Sequence, residues 1–212
     1  MTKKLFLTLA IISFFASCGT RRSVVQDPAI FDEGVVINGI RWATRNVAAP
    51  FRFAANPEDA GMFFQWNRRI GMNADNSNVR PFGTTWSPAN DPCPQGWRVP
   101  SMAELNTLLA AGSEWTNRNG VYGRYFGTGQ NRIFLPATGW RGSGGNFLGS
   151  LHGGGRGALT NVGAYGAYWS RTQLVSPQVT SSLAWALWFF SDGSNVNSIN
   201  QAFGFSVRCV AE

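Results

Sequence analysis

Apolar residues recur along the chain in short bursts set off by glycines and polar turns, and each burst predicts a small element. Val35-Val36-Ile37 and Ile40-Arg41-Trp42 flank Asn38-Gly39, which predicts two short strands about a tight turn. Gly61 to Trp66 is a second aromatic burst, a strand or a helix start, and Asn73 to Asn90 is polar enough to be a loop. The strongest helix signal follows. Ser101-Met102-Ala103-Glu104 is a capping box, Met102, Leu105, Leu108 and Leu109 recur at helical spacing, and Gly112 ends the run. Arg132 to Pro136, Tyr168 to Ser170, Leu183 to Phe190 and Phe205 to Val210 then read as strands, with eight glycines and His152 packed into residues 142–157. Many short strands, one or two helices and long glycine-rich loops predict an α+β domain. Long loops in a compact domain usually carry binding.

The first residues follow a different pattern. Lys3-Lys4 precedes Leu5–Ala16, a mostly apolar stretch of 12 residues. A bilayer span needs about 20 residues, so this length fits the core of a secretory signal instead. Phe15-Ala16-Ser17-Cys18 resembles a bacterial lipobox, which implies cleavage before Cys18 and lipid attachment at that cysteine. The alternative is an ordinary signal peptide with a chance cysteine. The expected organisation is a lipoprotein signal peptide over 1–17, a lipid-anchored tether over 18–33 and one folded domain over 34–212. An outer-membrane location follows. Gly19-Thr20-Arg21-Arg22 lacks an acidic export cluster, so surface and periplasmic faces both stay open, the surface slightly favoured.

With Cys18 set aside, Cys93 and Cys209 are an even pair in an exported chain, where an oxidising compartment favours a disulfide. Two free thiols or half a metal site are the alternatives.

Composition narrows the function classes. Aromatic residues make up 14% of the 212 residues and charged residues another 14%, against about 25% charged in an ordinary domain. That excludes wholesale disorder. The net charge is +7, but both lysines lie in the signal region, leaving 16 Arg against 11 Asp plus Glu. Those arginines are scattered and form no stripe, so nucleic acid is not an expected partner. Catalytic constellations are missing as well. His152 is the only histidine and has no Gly-x-Ser-x-Gly elbow beside it. The glycine-rich stretch has no Gly-Lys-Ser/Thr, and Asp75 to Asn78 lacks the closing Gly and Glu of a calcium loop. No enzyme activity, metal or cofactor is expected.

Three motif groups then carry a family resemblance. They are Ile40-Arg41-Trp42-Ala43-Thr44-Arg45-Asn46-Val47; Asp91-Pro92-Cys93-Pro94-Gln95-Gly96-Trp97-Arg98-Val99-Pro100-Ser101; and Leu135-Pro136-Ala137-Thr138-Gly139-Trp140-Arg141 with Tyr168-Trp169-Ser170 and Gly204 to Val210. In this order they resemble the Fibrobacter succinogenes major paralogous domain of Bacteroidetes lipoproteins. The resemblance implies a C-type lectin-like fold and a disulfide from near the helix to the last strand, which Cys93 and Cys209 would make. Leu159 to Ser170 also looks like the variable region of proteins diversified by retroelements. The calcium-ligating motifs of calcium-dependent lectins are missing.

The expected function is a lipid-anchored, non-enzymatic module for ligand binding or adhesion. Its ligand is a protein or glycan of unknown identity, and oligomerisation stays open. If Leu187 and Phe189 point inward, alternation turns Ala186, Trp188 and Phe190 outward, and an exposed aromatic set is usually a contact surface. Trp185, Thr160, Ala164, Tyr165, Ala167, Arg171, Asn197, Ile199, Asn200 and Phe203 join them as template-like positions. Trp42, Trp97, Trp140 and Trp169 belong to framework motifs and are expected in the core. The competing expectation is that both faces of Ala184–Phe190 are covered. A structural subunit of a pilus or envelope assembly, with the aromatic face against a partner chain, is the alternative function.

Overall fold

The computed structural model describes residues 27–73, 85–143, 157–175 and 182–212. In chain order the strands are β1 (Val35–Ile37), β2 (Ile40–Trp42), β3 (Val47–Ala49), β4 (Arg52–Phe53), β5 (Phe64–Gln65) and β6 (Trp97–Arg98). Helix α1 (Met102–Ala110) follows, then β7 (Ser113–Arg118), β8 (Val121–Thr128), β9 (Asn131–Pro136) and β10 (Trp140–Arg141). The last third holds β11 (Leu159–Thr160), β12 (Gly166–Leu174), β13 (Leu183–Phe190), β14 (Gly193–Asn200), β15 (Gly204–Phe205) and β16 (Val210–Ala211).

The expected α+β class is therefore corrected. Among the described residues 46% are strand and 8% helical, with one α-helix and five small antiparallel sheets, which is a mostly-β architecture and not a C-type lectin-like α+β fold. The helical share is small because only Met102–Ala110 combines a cap, helical spacing and good helix formers. Segments rich in Gly, Asn and Ser form strands wherever an apolar partner strand supplies the burial, as β14 does beside β13.

Locally encoded elements form as expected. The Asn38-Gly39 turn joins β1 to β2 with Ile37 opposite Ile40, and both turn residues have positive φ, 48° and 82°. A two-residue turn of that hand matches strand twist and suits Asn-Gly. At α1, the Ser101 hydroxyl accepts from the Glu104 N–H while the Glu104 carboxylate accepts from the Ser101 N–H, which completes the capping box. Of the expected core tryptophans, Trp42, Trp140 and Trp169 are buried, and Trp97 is half-buried with its ring edge-on to Phe53.

The sheets close on one another through the ends of the chain. Strand order β1-β2-β16-β6 brings the C-terminal strand between two early strands, and β11-β10-β15-β5 does the same for Phe205. Cys93 and Cys209 are disulfide-bonded across a sequence separation of 116. Next to it Arg208, 1% exposed, donates to Asn46 Oδ1 at 3.0 and 2.8 Å and to the Ala43 carbonyl at 3.2 Å. Burial pushes this guanidinium down to about 10, the nearby Tyr168 and Asp32 opposing that shift. Tyr168, which burial pushes up to about 12, keeps its proton and donates it to the Pro136 carbonyl at 2.8 Å.

The three-stranded sheet β12-β13-β14 lies at the centre, with a core on each face. Tyr168, Leu187 and Phe189 join Leu105 and Leu108 of α1 on one side. Ala167, Trp169, Ala184 and Ala186 join Trp66, Trp140 and Phe205 on the other. Residues 27–33, assigned above to the tether, pack on the body. Asp32 is buried and accepts from the Thr44 N–H and hydroxyl and from Arg45 Nε, and the Ala29 carbonyl accepts from the Phe53 N–H.

Candidate binding cleft

The turn leading into β12 is fixed by backbone hydrogen bonds at both ends. The Gly163 N–H donates to the Ala137 carbonyl at 2.8 Å, and the Gly139 N–H donates to the Tyr165 carbonyl at 2.7 Å. Gly139 has a φ of 66°, and a Cβ there would lie 2.0 Å from the Thr160 carbonyl oxygen, so only glycine fits. The turn holds Ala164 and Tyr165 exposed, with the Tyr165 ring edge-on to buried Trp140 at 5.7 Å.

A second turn comes to the same place. Phe190 pairs with Gly193, leaving Ser191 and Asp192 as a two-residue loop between β13 and β14. The Phe190 ring lies 5.6 Å from Tyr165, and the Ser191 hydroxyl donates to Asp192 Oδ1 at 2.7 Å. Arg124 of β8 donates to the Phe190 carbonyl at 3.3 Å, which ties this turn to the neighbouring sheet.

That sheet supplies the third wall. β7 and β8 form a hairpin about Asn119-Gly120, again with both φ positive at 51° and 86°. Trp115 and Tyr122 lie on its inner face, their rings within 12° of parallel and 6.1 Å apart, and Trp115 also meets the edge of Phe189 at 6.5 Å. Trp115, Tyr122, Gly163 to Tyr165 and Phe190 to Asp192 enclose a cleft of about 440 Å³. It is a shallow, open cleft with aromatic walls and a polar rim.

The structure divides the expected site residues. Ala164, Tyr165 and Phe190 meet in the cleft. Ala167 and Ala186 are fully buried, and Phe203 and Ile199 are 3% and 8% exposed, so these four side chains face the core. Trp188 is half-buried, wedged edge-on between Trp140 at 5.3 Å and Phe205 at 4.9 Å. The alternation expected of β13 holds, but its outward face is not free, because β10 and β15 cover it. Thr160 is half-buried with a hydroxyl that has no hydrogen-bond partner, and Trp185 is half-buried. Asn197 is exposed on β14, while half-buried Asn200 accepts from the Ala202 N–H. Cys18, His152, Asp75 and Gly145 lie outside the described residues.

Arg171 is elsewhere. Its exposed side chain lines a second cleft of about 530 Å³ with Ile30, Phe51, Trp97 and Asp91. Asp91 has its carboxyl pushed up by burial, against hydrogen bonds from the Val99 and Cys93 N–H groups. Arg171 follows Tyr165 by six residues and lies within the irregularity of β12 between Trp169 and Gln173, so the two clefts lie apart along β12. Trp115 and Tyr122 were missed from sequence. The Asn119-Gly120 turn between them was the available signal, and their approach to Phe190 is a tertiary fact with no local trace.

Comparison with family models, with curated proteins and with solved structures returned no match. These comparisons identify no family for the chain. Among the described residues no group of three or more His, Cys, Asp or Glu could hold a metal ion, and no helix is long and apolar enough to cross a membrane.

Proposed function

We propose that the protein is a lipid-anchored, non-enzymatic binding module of the cell envelope, and that the cleft between Trp115, Tyr122, Tyr165 and Phe190 is where it holds its ligand. The observation behind this is the convergence of two anchored turns and the inner face of the β7–β8 hairpin on one aromatic cleft. Large aromatic side chains held rigidly at a concave surface lose little entropy on binding and contribute most of the affinity.

Ile30, on the N-terminal side of the domain, lines the Arg171 cleft. An anchor at Cys18 would join the body on that side, and we place the aromatic cleft on the side away from the outer membrane.

The reading is tested with proteoliposomes carrying the full chain, scored for adhesion to intact bacterial and epithelial cells. The paired change Tyr165→Ala with Phe190→Ala lowers adhesion by about tenfold or more; unchanged adhesion rejects the site.

Exposed Leu159 and Val162, 43% and 62% accessible, favour a second reading in which this end contacts a partner chain of an envelope assembly. A stable oligomer on size-exclusion chromatography that shields Val162 supports it.

A further inference from the structure

Building on the binding-module reading, we infer that the aromatic cleft takes a saccharide, an uncharged pyranose ring lying on the Trp115–Tyr122 pair. A pyranose has two faces of C–H groups and a belt of hydroxyls. It calls for a flat, electron-rich apolar surface with hydrogen-bonding groups at the edge. Tyr122, 51% exposed, stacks on Trp115 with ring centroids 6.1 Å apart, so Trp115 backs it and its other face provides the surface. Tyr165 and Phe190 form part of the facing wall.

The edge groups suit hydroxyls. Exposed Asp192 accepts hydrogen bonds, and Ser191 and the phenols of Tyr122 and Tyr165 both donate and accept. A free anion would meet the Asp192 carboxylate as a like charge, a penalty an uncharged polyol does not meet.

The test titrates the full chain in detergent micelles with the hexasaccharides of glucose (α1,4 and β1,4), mannose, galactose and N-acetylglucosamine, following tryptophan fluorescence. At least one is expected to saturate below about 10 mM. Tyr122→Ala and Asp192→Asn, each at an exposed position, are expected to weaken that binding about tenfold with an unchanged circular dichroism spectrum. No saturation by any of the five, or full affinity in Tyr122→Ala, overturns the inference. Adhesion that is lost in the Tyr165→Ala, Phe190→Ala pair while all five saccharides fail points to a protein ligand: it overturns the saccharide and leaves the binding module standing. Adhesion insensitive to that pair rejects the module itself.

Discussion

Glu104 gathers several roles into one carboxylate. It closes the α1 capping box through the Ser101 N–H at 2.7 Å and takes two bonds from Arg98 at 2.6 and 2.8 Å. Burial works against its ionisation, but the hydrogen bonds from Arg98 and Ser101 outweigh it and hold the carboxyl at about 2 instead of 4.5. With the folded value below the ordinary one, this stabilisation is complete above about pH 4.5 and is lost as pH falls toward 2. Asp91, pushed the other way by burial, takes up its proton first in the folded state and opposes that slope. Urea midpoints measured from pH 6 to pH 3 should therefore fall less steeply in Glu104→Gln than in the wild type. The capping box was legible residue by residue because both its partners lie within four positions. The bidentate Arg98 contact, which gives the shift its size, joins β6 to α1 and needed the fold.

Elements show the same division more sharply. The Asn38-Gly39 hairpin and α1 formed where local pattern placed them. Strand β14 was invisible, since Gly193-Ser194-Asn195-Val196-Asn197-Ser198 carries little β-propensity and becomes a strand only by pairing along all of β13. Trp188 misled for a related reason. Alternation assigns a residue to one face of a strand but does not say whether a second layer covers that face, and here Trp140 and Phe205 do. The turn carrying Ala164 and Tyr165 depends on Gly139, whose φ of 66° and 2.0 Å approach to Thr160 leave no room for a methyl group. Gly139→Ala is expected to destabilise the protein by roughly 1 to 3 kcal/mol and to weaken ligand binding through displacement of Tyr165. A denaturation midpoint equal to the wild type would show that the turn adapts.

At the scale of the molecule, an abundance of aromatics predicted a packed domain, and the structure assigns them to two cores with a sheet between them. The mostly-β class was missed because the strands outside the β7-β8-β9 and β12-β13-β14 sheets are only two or three residues long, too brief to show a period in sequence, and β14 carries little β-propensity. The Cys93–Cys209 disulfide ties the segment before α1 to the C-terminal strand region. Closing a loop of 116 residues contributes about 4 to 5 kcal/mol in the chain-entropy model. Replacing both cysteines by serine should lower the urea midpoint accordingly, and reductant should then have no further effect. The proposed function divides the labour between the two ends of β12, aromatic cleft outward and Arg171 end toward the anchor. Its most direct test compares proteoliposome adhesion for two exposed aromatic positions, Tyr122→Ala at the first end and Phe51→Ala at the second. Tyr122→Ala is expected to lose adhesion about tenfold and Phe51→Ala to keep it at the wild-type level; loss at Phe51 with none at Tyr122 would overturn the proposed arrangement.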